Sequence, residues 1–99
     1  MSVPHFILHN SQRIEINPQA CWALFEFLQP KLEEIDEDFA AFFEVLFDTW
    51  QWDIAEFPDD YYMQAYHWII EACDSIDSLT PYKDALNKAL RADPRFQHK

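Results

Sequence analysis

Residues 31–52 read KLEEIDEDFAAFFEVLFDTWQW. Apolar side chains recur at Leu32, Ile35, Phe39, Phe42, Leu46 and Trp50, and Phe43 and Phe47 widen the stripe. Steps of three and four fit the 3.6-residue turn of an α-helix and not the two-residue period of a strand. The stretch therefore predicts a helix over 31–52 and puts the chain in the mainly α class. Asp36 is a residue type that caps helix starts, so the segment can divide there into two helices.

Working outward, Asn17-Pro18 is a helix start, an N-cap followed by proline in the first turn. It predicts a helix over 18–29, ended by Pro30. Cys21-Trp22-Ala23-Leu24-Phe25-Glu26-Phe27-Leu28 is apolar nearly all round, which implies burial on several sides. Further out, Pro58 opens a helix over 59–75. Its stripe is Tyr62, Tyr66, Ile69 and Cys73, and its polar line is Asp60, Gln64, His67, Glu71 and Asp74. Thr80-Pro81 opens the last helix, 81–92, which buries Tyr82, Ala85, Leu86, Ala89 and Leu90. Beyond it the tail is expected to fray, apart from an anchor at Phe96. At the other end, Phe6 and Leu8 alternate with Ile7 and His9, and Ile14 and Ile16 with Arg13 and Glu15, around Asn10-Ser11-Gln12. That alternation predicts a β-hairpin over 5–16. The expectation is one domain over 1–99: a small four-helix fold with a short N-terminal β-hairpin, α+β by label. An apolar share of 49% supplies a core and excludes disorder for the body of the chain.

The chain has no glycine, where average usage gives about seven. This excludes phosphate-binding loops, dinucleotide fingerprints, EF-hand loops and the nucleophile elbow, which all need glycine for positive φ or close backbone approach. Helices are expected to end at Pro, or at Asn and Asp in the left-handed region. Cys21 and Cys73 sit in apolar patterns and read as buried free thiols of a reducing compartment. The start lacks a secretory pattern, and no stretch reaches the ~18 apolar residues of a membrane span, so a cytoplasmic location is expected.

The formal charge is −11, from 18 acidic and 7 basic residues. That sign disfavours direct nucleic-acid binding and anionic membranes, and favours a basic protein partner with steered association. From Leu32 to Thr80 there is no Lys or Arg, whereas Lys83, Lys88, Arg91, Arg95 and Lys99 crowd the C-terminal end. On a helical wheel Glu33, Glu37, Glu44 and Asp48 fall within about 60°, with Ala40 and Ala41 low on the same line. The result is a carboxylate ridge roughly 20 Å long. Like charges at i,i+4 cost stability, so an unpaired ridge points to a function. Glu34 and Asp38 flank it. Beside it, Trp52-Asp53 and then Asp59-Asp60-Tyr61 interleave aromatics with acids, as interface anchors within an acidic rim do. Trp50 and Tyr62 lie on apolar stripes and read as core.

The partner-binding set is thus Glu33, Glu34, Glu37, Asp38, Glu44, Asp48, Trp52, Asp53, Asp59, Asp60 and Tyr61. No catalytic constellation appears, nor the ligand spacing of a dedicated metal site, so no enzyme activity and no cofactor are expected. His67 and Glu71, four apart on the third helix, read as a surface hydrogen bond. In character, Glu33-Glu34…Asp59-Asp60-Tyr61-Tyr62 resembles the small acidic immunity proteins that neutralise bacterial nuclease toxins. The resemblance implies an antitoxin that covers a basic toxin or nucleic-acid-handling protein. It is one of mixture, and no residue roles are carried across. The alternatives are a DNA mimic that blocks a DNA-binding protein, and an assembly module whose hairpin edge pairs with another chain or forms a homodimer.

Overall fold

The computed structural model describes residues 5–7, 13–48, 51–53 and 57–96, with side chains at 14–46, 48 and 57–96. The element order is β1 (His5–Ile7), β2 (Arg13–Glu15), α1 (Pro18–Ile35), α2 (Glu37–Asp48), β3 (Gln51–Asp53), α3 (Tyr62–Ser75) and α4 (Lys83–Arg91). Short 3-10 turns, Asp59–Tyr61 and Thr80–Tyr82, lead into α3 and α4. The fold is mainly α, with four α-helices among the described residues.

The first helix does not stop at Pro30 but runs on to Ile35. Leu24, Leu28 and Leu32 explain this. They stand four apart on one face and are all buried, so a break at 30 would tear Leu32 from the core. Pro30 itself is exposed, and Glu26, whose carbonyl loses its i+4 donor, lies on the solvent side where water can replace the bond. The division comes at Asp36. Its Oδ1 accepts from the Phe39 amide at 3.0 Å, an N-cap bond that opens α2. The single helix over 31–52 is therefore two, broken by the residue type that offered a cap. Asn17 caps α1 in the same way, accepting from the Gln19 amide at 2.8 Å.

The second correction is at 51–53. Gln51–Asp53 is not the end of a helix but a strand pairing parallel with β1, in register His5↔Gln51, Phe6↔Trp52 and Ile7↔Asp53. β1 also pairs antiparallel with β2, Phe6 opposite Ile14, so the expected hairpin pairing is present. Its turn residues lie outside those described. The sheet order is β2-β1-β3. A two-stranded hairpin is marginal alone, and the strand at Gln51–Asp53 gives β1 a second paired edge.

α1 and α2 form an antiparallel pair. Phe25 stacks on Phe43 with centroids 5.6 Å apart, and Gln29 Nε2 donates to the Ala40 carbonyl at 3.1 Å. Phe39 and Phe43 close on Phe57, at 5.3 and 5.9 Å. Behind them α3 contributes Tyr62, Ala65, Tyr66, Ile69, Ala72 and Cys73, the predicted stripe with two alanines added. α4 adds Leu86 and Leu90, while Ala85 is exposed, against expectation. Three tyrosines tie the layers together. Tyr62 Oη donates to the Leu90 carbonyl at 2.9 Å, Tyr66 Oη to Asn87 Oδ1, and Tyr82 Oη accepts from the Asn17 amide at 3.0 Å.

The described helix C-caps do not use left-handed residues. Asp36, Ile76 and Ala92 have φ of −157°, −115° and −78°. A chain without glycine avoids the positive-φ cost by leaving its helices through extended or 3-10 geometry. The segment after α4 is held as well. Phe96 packs edge-on against Tyr66 at 4.8 Å, and the Arg95 guanidinium is bidentate to Asp93 at 3.0 and 2.9 Å.

Candidate protein-binding surface

The predicted acidic residues divide by element. Glu33 and Glu34 end α1, whereas Glu37, Asp38, Glu44 and Asp48 lie on α2, and all six are exposed. Because the chain turns at Asp36, they do not form one ridge on one helix. Glu33, Glu37 and Glu44 meet across the α1–α2 seam, where they line a shallow groove of about 210 Å³ together with Gln29, Ala40 and Ala41. Ala40 is buried beneath Gln29 rather than sitting low on the ridge, and only Ala41 keeps that position. Among the described residues no Lys or Arg forms an ion pair with any of these six carboxylates.

Four of the five basic side chains described are engaged elsewhere. Lys31 lies over the Phe27 ring at 4.7 Å, Lys83 pairs with Asp74, and Arg91 covers the Phe96 ring at 5.2 Å. Arg95 grips Asp93, which is 4% exposed, and also reaches the Phe57 carbonyl, Asp59 Oδ1 at 3.3 Å and the Tyr62 ring at 4.3 Å. These neighbours hold its pKa above the usual range, the Asp93 hydrogen bond first among them.

The second part of the predicted surface is more structural than its sequence suggests. Tyr61 is half-buried. Its hydroxyl donates to Asp36 Oδ2 at 3.2 Å and its ring meets Phe39 edge-on at 6.2 Å. Burial, then the Asp36 charge and hydrogen bond, raise its pKa. Tyr61 thus braces the α1–α2 turn. Asp59 is 82% exposed yet already contacts Arg95, and Asp60 is exposed. Trp52 and Asp53 stand on β3, where the backbone alone is described.

Among the described residues four large apolar side chains are exposed, Trp22, Ile35, Phe42 and Val45, of which Ile35 and Phe42 stood on the predicted stripe. Trp22 is 50% exposed, on the helix expected to be buried on several sides. The reason is that α1 packs chiefly through Cys21, Leu24, Leu28 and Leu32, leaving the opposite side to solvent. Trp22 stands on the same helical line as Gln29 and Glu33, seven and eleven residues on, and that spacing was available in the sequence.

Other chemistry is sparse. Cys21 and Cys73 are buried free thiols, with burial pushing them up to about 12 and 11. Among the described residues no three His, Cys, Asp or Glu side chains gather as metal ligands, and no helix is long and apolar enough to cross a membrane. His67 packs edge-on against the Tyr66 ring at 5.2 Å. Comparison with protein-family models, curated proteins and solved structures finds no match to this chain.

Proposed function

We propose that this chain is an acidic inhibitor that neutralises a basic protein, as a bacterial immunity or antitoxin protein does against a nuclease-type toxin. The observation that carries the reading is the separation of charge. The α1–α2 carboxylates face solvent without cationic partners among the described residues, while Arg95 and Lys83 are engaged by Asp93, Asp59 and Asp74. A surface of one sign raises the encounter rate with a partner of the other and rejects like-charged competitors. Glu33, Glu34, Glu37, Asp38, Glu44 and Asp48 form its centre, with Asp59, Asp60, Trp52 and Asp53 as its extension beyond the Tyr61 brace.

The test is affinity capture from the native host, then association kinetics with the captured protein. Charge reversal of Glu37 and Asp48 to Lys is expected to slow association about tenfold at low salt and to flatten its salt dependence. Unchanged association at low salt would sink the reading. Competition by duplex DNA for the same partner would move it to a DNA mimic.

A further inference from the structure

Two matched lines of side chains flank the α1–α2 seam. Trp22, Glu26, Gln29 and Glu33 follow one another on α1 at steps of four, three and four. Glu37, Ala41, Glu44 and Asp48 repeat the same steps on α2, which runs antiparallel beside it. Each line is one face of its helix. Between them lies the groove lined by Gln29, Glu33, Glu37, Ala41 and Glu44 over the buried Ala40, the small residue that lets another backbone come close, and Trp22, Glu26 and Asp48 continue the two lines beyond it. Eleven residues of helix give each line a length of about 16 Å, or three helical turns.

The walls ask for one chemistry. Five of the eight positions are carboxylates and none is basic. Gln29 turns its amide nitrogen to Glu33 Oε1 and the Ala40 carbonyl, and its own Oε1 is buried with no donor. Gln29 Oε1 is out of a ligand's reach, so the acceptors that the groove offers are the exposed Glu33, Glu37 and Glu44 carboxylates. Ammonium and guanidinium groups, which only donate, complement it. The Trp22 ring is braced, lying 6.0 Å from Phe25, which stacks on Phe43.

We propose that this groove takes a cationic amphipathic helix of the partner protein, its Lys and Arg side chains on the two carboxylate lines and an apolar residue against Trp22. A groove between two antiparallel helices with a small-residue floor accepts a third helix. The inference rests on the reading of the chain as a binder of a basic protein, and it specifies the place, the shape and the anchor.

The probe is a synthetic peptide of about four helical turns, Lys and Arg on one face and Leu and Ala on the other, beside a scrambled peptide of the same composition. Amide and indole NMR spectra are followed during titration, with the Trp22 indole assigned from Trp22→Phe. The groove is supported if the helical peptide saturates, shifts residues of the two lines and the Trp22 indole, and binds about tenfold more weakly to Trp22→Ala and to Glu33→Lys/Glu44→Lys, both with unchanged circular dichroism. Equal binding of the scrambled peptide, or shifts centred on Asp59 and Asp60, overturns the groove and leaves the broader reading standing. If neither cationic peptide binds, the groove is overturned, and the broader reading stands or falls on the association kinetics with the captured protein.

Discussion

Arg95 is the side chain on which most contacts converge. It satisfies the buried Asp93, a backbone carbonyl and an exposed Asp59 at once, and stacks on Tyr62. Arg95→Met leaves Asp93 buried without its cation and is expected to cost about 3–5 kcal/mol, read as a lower urea midpoint. Asp93→Asn combined with Arg95→Met should recover part of that loss. A double variant no more stable than the single one would show that the carboxylate is not the problem. The buried acids give the alkaline behaviour. Cys21 and Cys73 rise from an ordinary 9.0 to about 12 and 11, and Tyr61 and Tyr62 also titrate above their ordinary value, burial being the first cause for all four. A raised pKa on an acid of this kind means that folding favours the protonated form. The stability is full below about pH 9 and is lost as pH climbs through the folded values. The thermal midpoint should therefore hold to about pH 9 and fall above it, and Cys21→Ala with Cys73→Ala should move the onset upward. The burial of both thiols was legible in the sequence because each lies on an apolar helical line. The role of Tyr61 was not, because its hydroxyl bond to Asp36 spans 25 residues.

At the scale of the element, Pro30 does not break its helix and Asp36 does. Proline outside the buried face is carried within a continuous helix, and an aspartate whose carboxylate finds an amide three residues on ends one helix and starts the next. Asp36→Ala removes the cap on Phe39 and the acceptor of Tyr61, and is expected to cost about 2 kcal/mol. Asp36→Asn should keep most of it. Hydrogen exchange of the Phe39 amide separates the two. Pro30→Ala restores a donor toward the Glu26 carbonyl and should stabilise the protein by about 2 kcal/mol, net of the freedom that proline removes from the unfolded chain. A lower urea midpoint for that variant would mean that the proline's local geometry is needed for α1–α2 packing. The stripes of α3 and α4 were legible because one regular period covers each, from Tyr62 to Cys73 and from Leu86 to Leu90. The strand at Gln51–Asp53 was not, because its partner is β1, some 46 residues earlier in register His5↔Gln51, and pairing over that distance leaves no local signature.

For the whole molecule, 18 acids against 7 bases set a self-repulsion that no single contact relieves. Salt should screen it. Raising NaCl from about 10 to about 500 mM is expected to raise the thermal midpoint by several degrees, against the fall that a fold resting on surface ion pairs would show. The polarity of charge was legible from residue numbers alone, whereas the groove was not, because Glu33 and Glu44 meet only once the chain has turned at Asp36. The Arg95 contact has a further consequence, for the order in which a growing chain can settle. The guanidinium reaches the Phe57 carbonyl and Asp59 from 38 and 36 residues further on. During synthesis α1 and α2 can pair early, since Phe25 and Phe43 are near neighbours in time as well as in space. The latch over the Phe57–Asp59 stretch must wait for Arg95 to leave the ribosome. Until then Phe57 and Tyr62 lack their final cover, and that interval is when a nascent chain is most open to chaperones and proteases.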